Sequence, residues 1–185
     1  MDVRKALSLS RNVPALKTFK AVNNNKIKEF VTNLGLNPEG SGGIIHEAHS
    51  IGGYNGESPL TLAAAYAAFA NGGTYIEPYT FTKITYKDSD KVFNVTPKTQ
   101  KAMSDSTAYM ITSILMDTAV ANMGSSKVNG ISYAIKTGTS NFSAETKRAH
   151  SLPANAVNDL WVAGYSRDYA IAMWYGYDKI NKDYV

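Results

Sequence analysis

The sequence has no cysteine. That excludes disulfides, thiol catalysis and cysteine-based zinc sites, and it says little about compartment. No stretch of about eighteen apolar residues occurs, so no segment reads as a membrane-spanning helix. No signal-peptide pattern opens the chain at Met1. Basic residues are scattered, without a run long enough for a nucleic-acid patch, so no nucleic-acid partner is expected. No internal repeat or change of composition marks a second domain.

What is present fits one globular unit. The chain has 185 residues, enough to bury a sizeable core. With 44% hydrophobic and 18% charged residues, it falls outside the disordered class. A net charge of +4 suits an anionic substrate or a wall or membrane surface, although solubility explains it equally well. Met1-Asp2-Val3-Arg4 and Asn181-Lys182-Asp183-Tyr184-Val185 both read as the interior of something, so a piece of a longer protein is expected.

The most informative stretch runs from Ile131 to Ser140. It begins with strand-forming residues and ends in Lys136-Thr137-Gly138-Thr139-Ser140. On a strand, Lys136 and Gly138 face one way and Thr137 and Thr139 the other. Gly138 lets another molecule approach the backbone. A sheet edge of this chemistry can pair with an extended peptide and hold a carboxylate beside its lysine. The plain alternative is an edge strand with a solvated lysine and a turn glycine.

Elsewhere the pattern alternates helices and strands. A short helix is expected around Val3, Ala6 and Leu7. A second starts with Pro14 as its first residue. Ile27, Phe30, Val31 and Leu34 give a third an apolar face, closed by Gly35. Asn37 to Gly56 is glycine-rich and reads as an irregular loop. It holds His46-Glu47-Ala48-His49, one residue short of a His-Glu-x-x-His zinc pattern. In a loop the helical argument for two ligands on one face fails, so these read as ordinary loop histidines. Ser58-Pro59 opens a helix that is apolar nearly all round, which predicts burial. Tyr79 to Tyr86 and Lys91 to Val95 read as a hairpin. A helix is expected from about Ser106 to Ala121, ending near Met123-Gly124-Ser125-Ser126. Asn141 to Asn158 shows no periodicity and reads as a mobile loop. Asp159 to Tyr165 and Tyr169 to Tyr177 read as two strands. The expected class is α+β, an antiparallel sheet flanked by helices.

Taken in order, Ser-Arg-Asn-Val-Pro-Ala at 10–15, Gly-Glu-Ser-Pro-Leu-Thr-Leu-Ala at 56–63, Ala-Tyr-Ala-Ala-Phe-Ala-Asn-Gly-Gly at 65–73, Lys-Thr-Gly-Thr-Ser at 136–140, Asp-Leu-Trp-Val-Ala-Gly-Tyr at 159–165 and Met-Trp-Tyr-Gly-Tyr at 173–177 resemble the transpeptidase domain of class A penicillin-binding proteins. The resemblance runs from Arg4 to Asp178. It implies the penicillin-binding and serine β-lactamase-like fold, with residues 1–185 forming the C-terminal portion of one domain. It implies acyl transfer that cross-links peptidoglycan stem peptides, with β-lactams as mimics of the donor. Ser10 matches the serine of the family's Ser-x-Asn motif, a proton shuttle, and Asn12 its asparagine, which contacts the donor peptide. Lys136 would supply positive charge. Thr137, Gly138, Thr139 and Ser140 would bind the substrate and its carboxylate. No metal or organic cofactor is expected. The full protein is expected on the extracytoplasmic face of a bacterial membrane, held there by an anchor outside this chain. Ser-x-Asn at a helix break also suits ordinary capping.

The family pattern pairs these motifs with a Ser-x-x-Lys nucleophile. No lysine of this chain has a serine three positions before it. Thr80-Phe81-Thr82-Lys83 comes nearest, and a strand threonine cannot take the role. The nucleophile is therefore expected from the missing N-terminal half of the domain. Two alternatives are a serine β-lactamase, disfavoured by Arg11 where that pattern has Asp, and a non-catalytic peptide-binding module.

Overall fold

The computed structural model describes residues 1–39, 42–123 and 128–177. The expected break at Gly124–Ser126, loop glycine Gly40 and the Asn181–Val185 end lie outside them.

The organising layer is a three-stranded antiparallel sheet. It comprises β5 (Ala134–Asn141), β6 (Val157–Tyr165) and β7 (Ala170–Gly176), in that order across the sheet. Lys136 pairs with Ala163, Gly138 with Trp161 and Ser140 with Asp159. Trp161 in turn pairs with Trp174. Among the described residues, β5 and β7 are therefore the two edges.

One face of this sheet is covered by helices. α1 (Val3–Ser8) packs on α5 (Asp105–Met123), α5 packs on β5, and α4 (Pro59–Ala70) packs on β6 and β7. Leu115, Ala134 and Tyr165 form the buried centre, with Leu7, Tyr66, Phe69 and Ala170 packed around it. Phe69 stacks on Tyr165 at a centroid distance of 6.1 Å. The Tyr165 hydroxyl lies 2.8 Å from Thr112 Oγ1, which gives its polar end a partner. A second cluster of Leu34, Ala65, Ala68, Met103 and Ala108 lies on the far side of α4. Alanines make up three of the five buried residues of this second cluster, so backbones approach closely there.

The other face of the sheet is open. Ile171, Met173 and Tyr175 are 66%, 59% and 68% exposed, and Leu160 beside them is 42% exposed. Period-two alternation puts all four on the side away from Ala163 and Tyr165, which are buried.

Several expectations are corrected. α2 spans Asn12–Lys20, so Asn12 opens it and Pro14 sits third. The first-turn N–H groups have no intrahelical acceptor, so proline is tolerated there. The Asn37–Gly56 loop contains a 3-10 turn, Glu47–Ile51. The hairpin shortens to β2 (Lys83–Thr85) and β3 (Val92–Asn94). β1 (Thr74–Ile76) and β4 (Thr99–Lys101) form a further pair that the pattern did not announce. The Asn141–Asn158 segment contains α6 (Ala144–Ala149), capped by Ser143 Oγ accepting from Thr146 N at 3.0 Å. Six residues are too few to show a helical period. α4 is less enclosed than its composition predicts, with Leu60 58% exposed.

Candidate active site

The site is assembled by docking α1 on α5. Asp2 caps α1, its carboxylate accepting from Lys5 N at 2.7 Å. Arg4 then reaches α5, donating to Ser113 O at 2.9 Å and to Asp117 Oδ2 at 2.6 Å. Buried Ala6 and half-buried Leu7 complete the contact. The chain turns sharply after Ser8. Ser10 holds a left-handed φ of +49°, a conformation that costs a non-glycine residue about 1–2 kcal/mol. The turn carries Ser10 over β5, where Lys136 Nζ donates to Ser10 Oγ at 2.5 Å. These residues are 126 positions apart in the sequence.

Lys136 also donates to the Thr137 carbonyl at 2.5 Å. Among the described ion pairs no carboxylate faces it. Burial of the ammonium lowers its pKa from the ordinary 10.5. A half-buried cation held against a hydroxyl, with no carboxylate partner among the described residues, has the chemistry to receive an anion. Ser10 Oγ accepts from the lysine, so its own proton is free to point elsewhere.

Asn12 is exposed at the start of α2, two residues beyond Ser10. Thr137, Gly138, Thr139 and Ser140 are exposed along the outer strand. Strand alternation turns Thr137 and Thr139 away from the Lys136 face. Ser140 lies on the Lys136 side, and its hydroxyl donates to Asp159 Oδ2. Asp159 also accepts from Asn158 Nδ2 at 2.6 Å and from Trp174 Nε1 at 2.9 Å. Asp159 thus fixes the end of β5 across three strands, a positioning role that its place in a run of strand residues did not reveal. Nothing in the described fold demands glycine at 138. A Cβ there would meet Trp161 Cβ at 3.5 Å, an ordinary contact.

A hollow of about 590 Å³ lies elsewhere, lined by Phe69, Tyr109, Thr112, Tyr133 and Arg167 among others. It includes neither Ser10 nor Lys136.

Residues 1–182 match the family model described as penicillin binding protein transpeptidase domain. The chain belongs to the penicillin-binding protein transpeptidase family. It is 41% identical over 180 residues to penicillin-binding protein 1A/1B of Bacillus subtilis, covering 95% of this chain and 19% of that protein. It is 37% identical over 187 residues to penicillin-binding protein 1A of Streptococcus pneumoniae, covering 96% and 25%. The chain therefore spans a fifth to a quarter of the length of these relatives. The fold agrees with PonA1 of Mycobacterium tuberculosis at a TM-score of 0.76 and 22% identity, covering 94% of this chain and 47% of that one. PonA1 is also known in complex with penicillin V, and penicillin-binding protein A of the same organism as an imipenem acyl-enzyme, again at a TM-score of 0.76. The α+β class expected from the sequence is the fold of this penicillin-binding protein domain.

Proposed function

We propose that this chain forms one wall of a serine D,D-transpeptidase site and that the nucleophile enters from a Ser-x-x-Lys segment outside it. The supporting observation is the 2.5 Å contact between Lys136 Nζ and Ser10 Oγ, beside an exposed edge strand. In this reading residues 1–185 are the C-terminal portion of a single transpeptidase domain, working on the extracytoplasmic face of a bacterial membrane.

The nucleophilic serine attacks the carbonyl of a D-Ala–D-Ala bond in a peptidoglycan stem peptide. Its proton passes to the lysine of its own motif, and a tetrahedral oxyanion forms. Lys136 attracts the terminal carboxylate, and Asn12 holds the donor peptide. Thr137 and Thr139 offer hydroxyls at the strand edge, and Gly138 leaves room for the substrate backbone. The Ser10 O–H, directed away from Lys136, delivers a proton to the departing D-Ala nitrogen as the C–N bond breaks, and the protonated lysine of the Ser-x-x-Lys motif returns one to Ser10. An amine of a neighbouring strand then attacks the acyl-enzyme ester and gives its proton to the lysine of the Ser-x-x-Lys motif, which protonates the departing serine oxygen as the new amide forms. Backbone donors along β5 stabilise the oxyanion, usually the largest contribution to acyl transfer.

Fluorescent penicillin tests this directly. The chain without a Ser-x-x-Lys segment is expected to remain unlabelled, and the protein carrying that segment to be labelled on its serine. Covalent labelling within residues 1–185 would overturn the assignment of the nucleophile. Failure of the segment-bearing protein to label would favour a non-catalytic peptide-binding module. Rapid hydrolysis of a chromogenic cephalosporin would favour a β-lactamase.

A further inference from the structure

We propose that Glu39, His46 and His49 form a zinc site that joins Glu39 to the 3-10 turn Glu47–Ile51. His-x-x-His is one residue short of the spacing that aligns two ligands on an α-helix. On a 3-10 helix, however, residues i and i+3 eclipse. His46 caps the 3-10 turn Glu47–Ile51 and His49 lies within it, so both rings converge. Their centroids are 4.2 Å apart. The third group is Glu39, ten residues before His49. Glu47, between the histidines, instead pairs with Lys20 at 3.4 Å.

One candidate ligand atom from each of the three lies within 4.8 Å of the other two. His49 is the decisive member. Its side chain is only 6% exposed, and its Nε2 is buried without a hydrogen bond. Glu39 Oε1 is 3.5 Å from that nitrogen. Two ligands held about 2.0–2.1 Å from a tetrahedral zinc must be roughly 3.3 Å apart, close to this separation.

Two of the three ligands are oriented from behind. His49 Nδ1 is 3.1 Å from the His46 carbonyl oxygen. The same Nδ1 also lies 3.2 Å from the His46 backbone N–H, so the ring is clamped by one backbone unit; zinc would select the tautomer in which Nδ1 donates to the carbonyl and the Nε2 lone pair faces Glu39. Asn55 Nδ2 donates to Glu39 Oε2 at 2.8 Å, which turns Oε1 inward. Tyr54 stacks on the His49 ring at 5.9 Å. Two imidazoles and one carboxylate suit zinc better than magnesium or calcium, which favour all-oxygen sets. A fourth position is left for water. The site stands apart from the transpeptidase reading, because none of its residues contacts a substrate in that scheme.

The test is titration of metal-stripped protein with Zn²⁺ against a chromogenic chelator, with melting followed in parallel. One equivalent is expected to bind, with a rise in melting temperature. His46→Ala and Glu39→Gln are each expected to weaken binding at least tenfold, and Asn55→Ala about tenfold as an outer-shell change. His46 is exposed, so its variant is expected to fold even if His49→Gln does not. Penicillin labelling of the segment-bearing protein is expected to be unchanged in the His46 variant. Absence of one-to-one binding, or equal zinc affinity in the wild type and the His46 and Glu39 variants, would overturn the site.

Discussion

Replacing Lys136 by alanine is the sharpest probe of the candidate active site. The side chain makes two hydrogen bonds in the structure, to Ser10 Oγ and to the Thr137 carbonyl, each 2.5 Å. Only the Ser10 contact and a further one to an incoming carboxylate bear on catalysis. Hydrogen bonds to a charged group are worth about 1.5–3 kcal/mol each. Losing one or both from the transition state costs about 1.5–6 kcal/mol, or roughly 10- to 10,000-fold in acylation rate. Stability behaves differently. Removing a half-buried ammonium with no carboxylate partner among the described residues relieves a desolvation cost, and exposed Ser10 regains water. The net change should stay within about 1 kcal/mol. The assay is the second-order rate of fluorescent-penicillin labelling in the protein that carries its Ser-x-x-Lys segment, beside a melting curve. A rate within threefold of wild type at an unchanged melting temperature would refute the role of Lys136. A collapse of both would show that the lysine supports the fold instead.

Further outcomes concern Lys136, Ser10 and two glycines. Because burial lowers the Lys136 pKa, the alkaline fall in labelling rate should set in below the 10.5 of a free lysine and disappear in Lys136→Arg, whatever that variant's absolute rate. Stability should move oppositely. Between the lowered value and 10.5 the unfolded chain binds more protons, so ΔG of unfolding from Lys136 rises with pH in that window. Ser10→Ala and Ser10→Gly should slow labelling alike, but the glycine variant should be about 1 kcal/mol more stable by denaturant titration, because φ is +49° there; equal stabilities would remove the strain argument. Gly138→Ala should melt normally yet label more slowly, whereas Gly73→Ala should lose about 3 kcal/mol or more of stability. At Gly73 φ is +85° and the new Cβ would lie 2.3 Å from the Met103 carbonyl oxygen.

Long or strongly punctuated elements were legible in the sequence. Ser58-Pro59 announced α4 to the residue, and Ile27, Phe30 and Val31, with Leu34 at the C-cap, announced the apolar side of α3, which runs Asn24–Asn33, although Phe30 is 38% exposed. The Lys-Thr-Gly strand and its two successors also read correctly as strands, since β-branched, aromatic and small residues alternate there. Three-residue strands such as β1 and β4 left no trace, because their pairing depends on Gly73 accepting from Ala102 and Met103. α6 carried one signal, Ser143 followed by Ala144 and Glu145 as a capped start. The family motifs named Ser10 and Lys136, but only folding sets them 2.5 Å apart. The zinc site proposed at the histidine pair had no signature in the local sequence. A spacing of three suits a 3-10 turn, and the third group comes from ten residues upstream, where no local pattern includes it.

The uncovered side of the β5–β6–β7 sheet has a practical consequence. Leu160, Ile171, Met173 and Tyr175 make an adhesive stripe along strands that end in a bare rim at β7 among the described residues. Handled in isolation, such a surface recruits copies of itself, detergent or a hydrophobic dye. Self-association of the chain should therefore climb with concentration and recede when a covering segment is supplied.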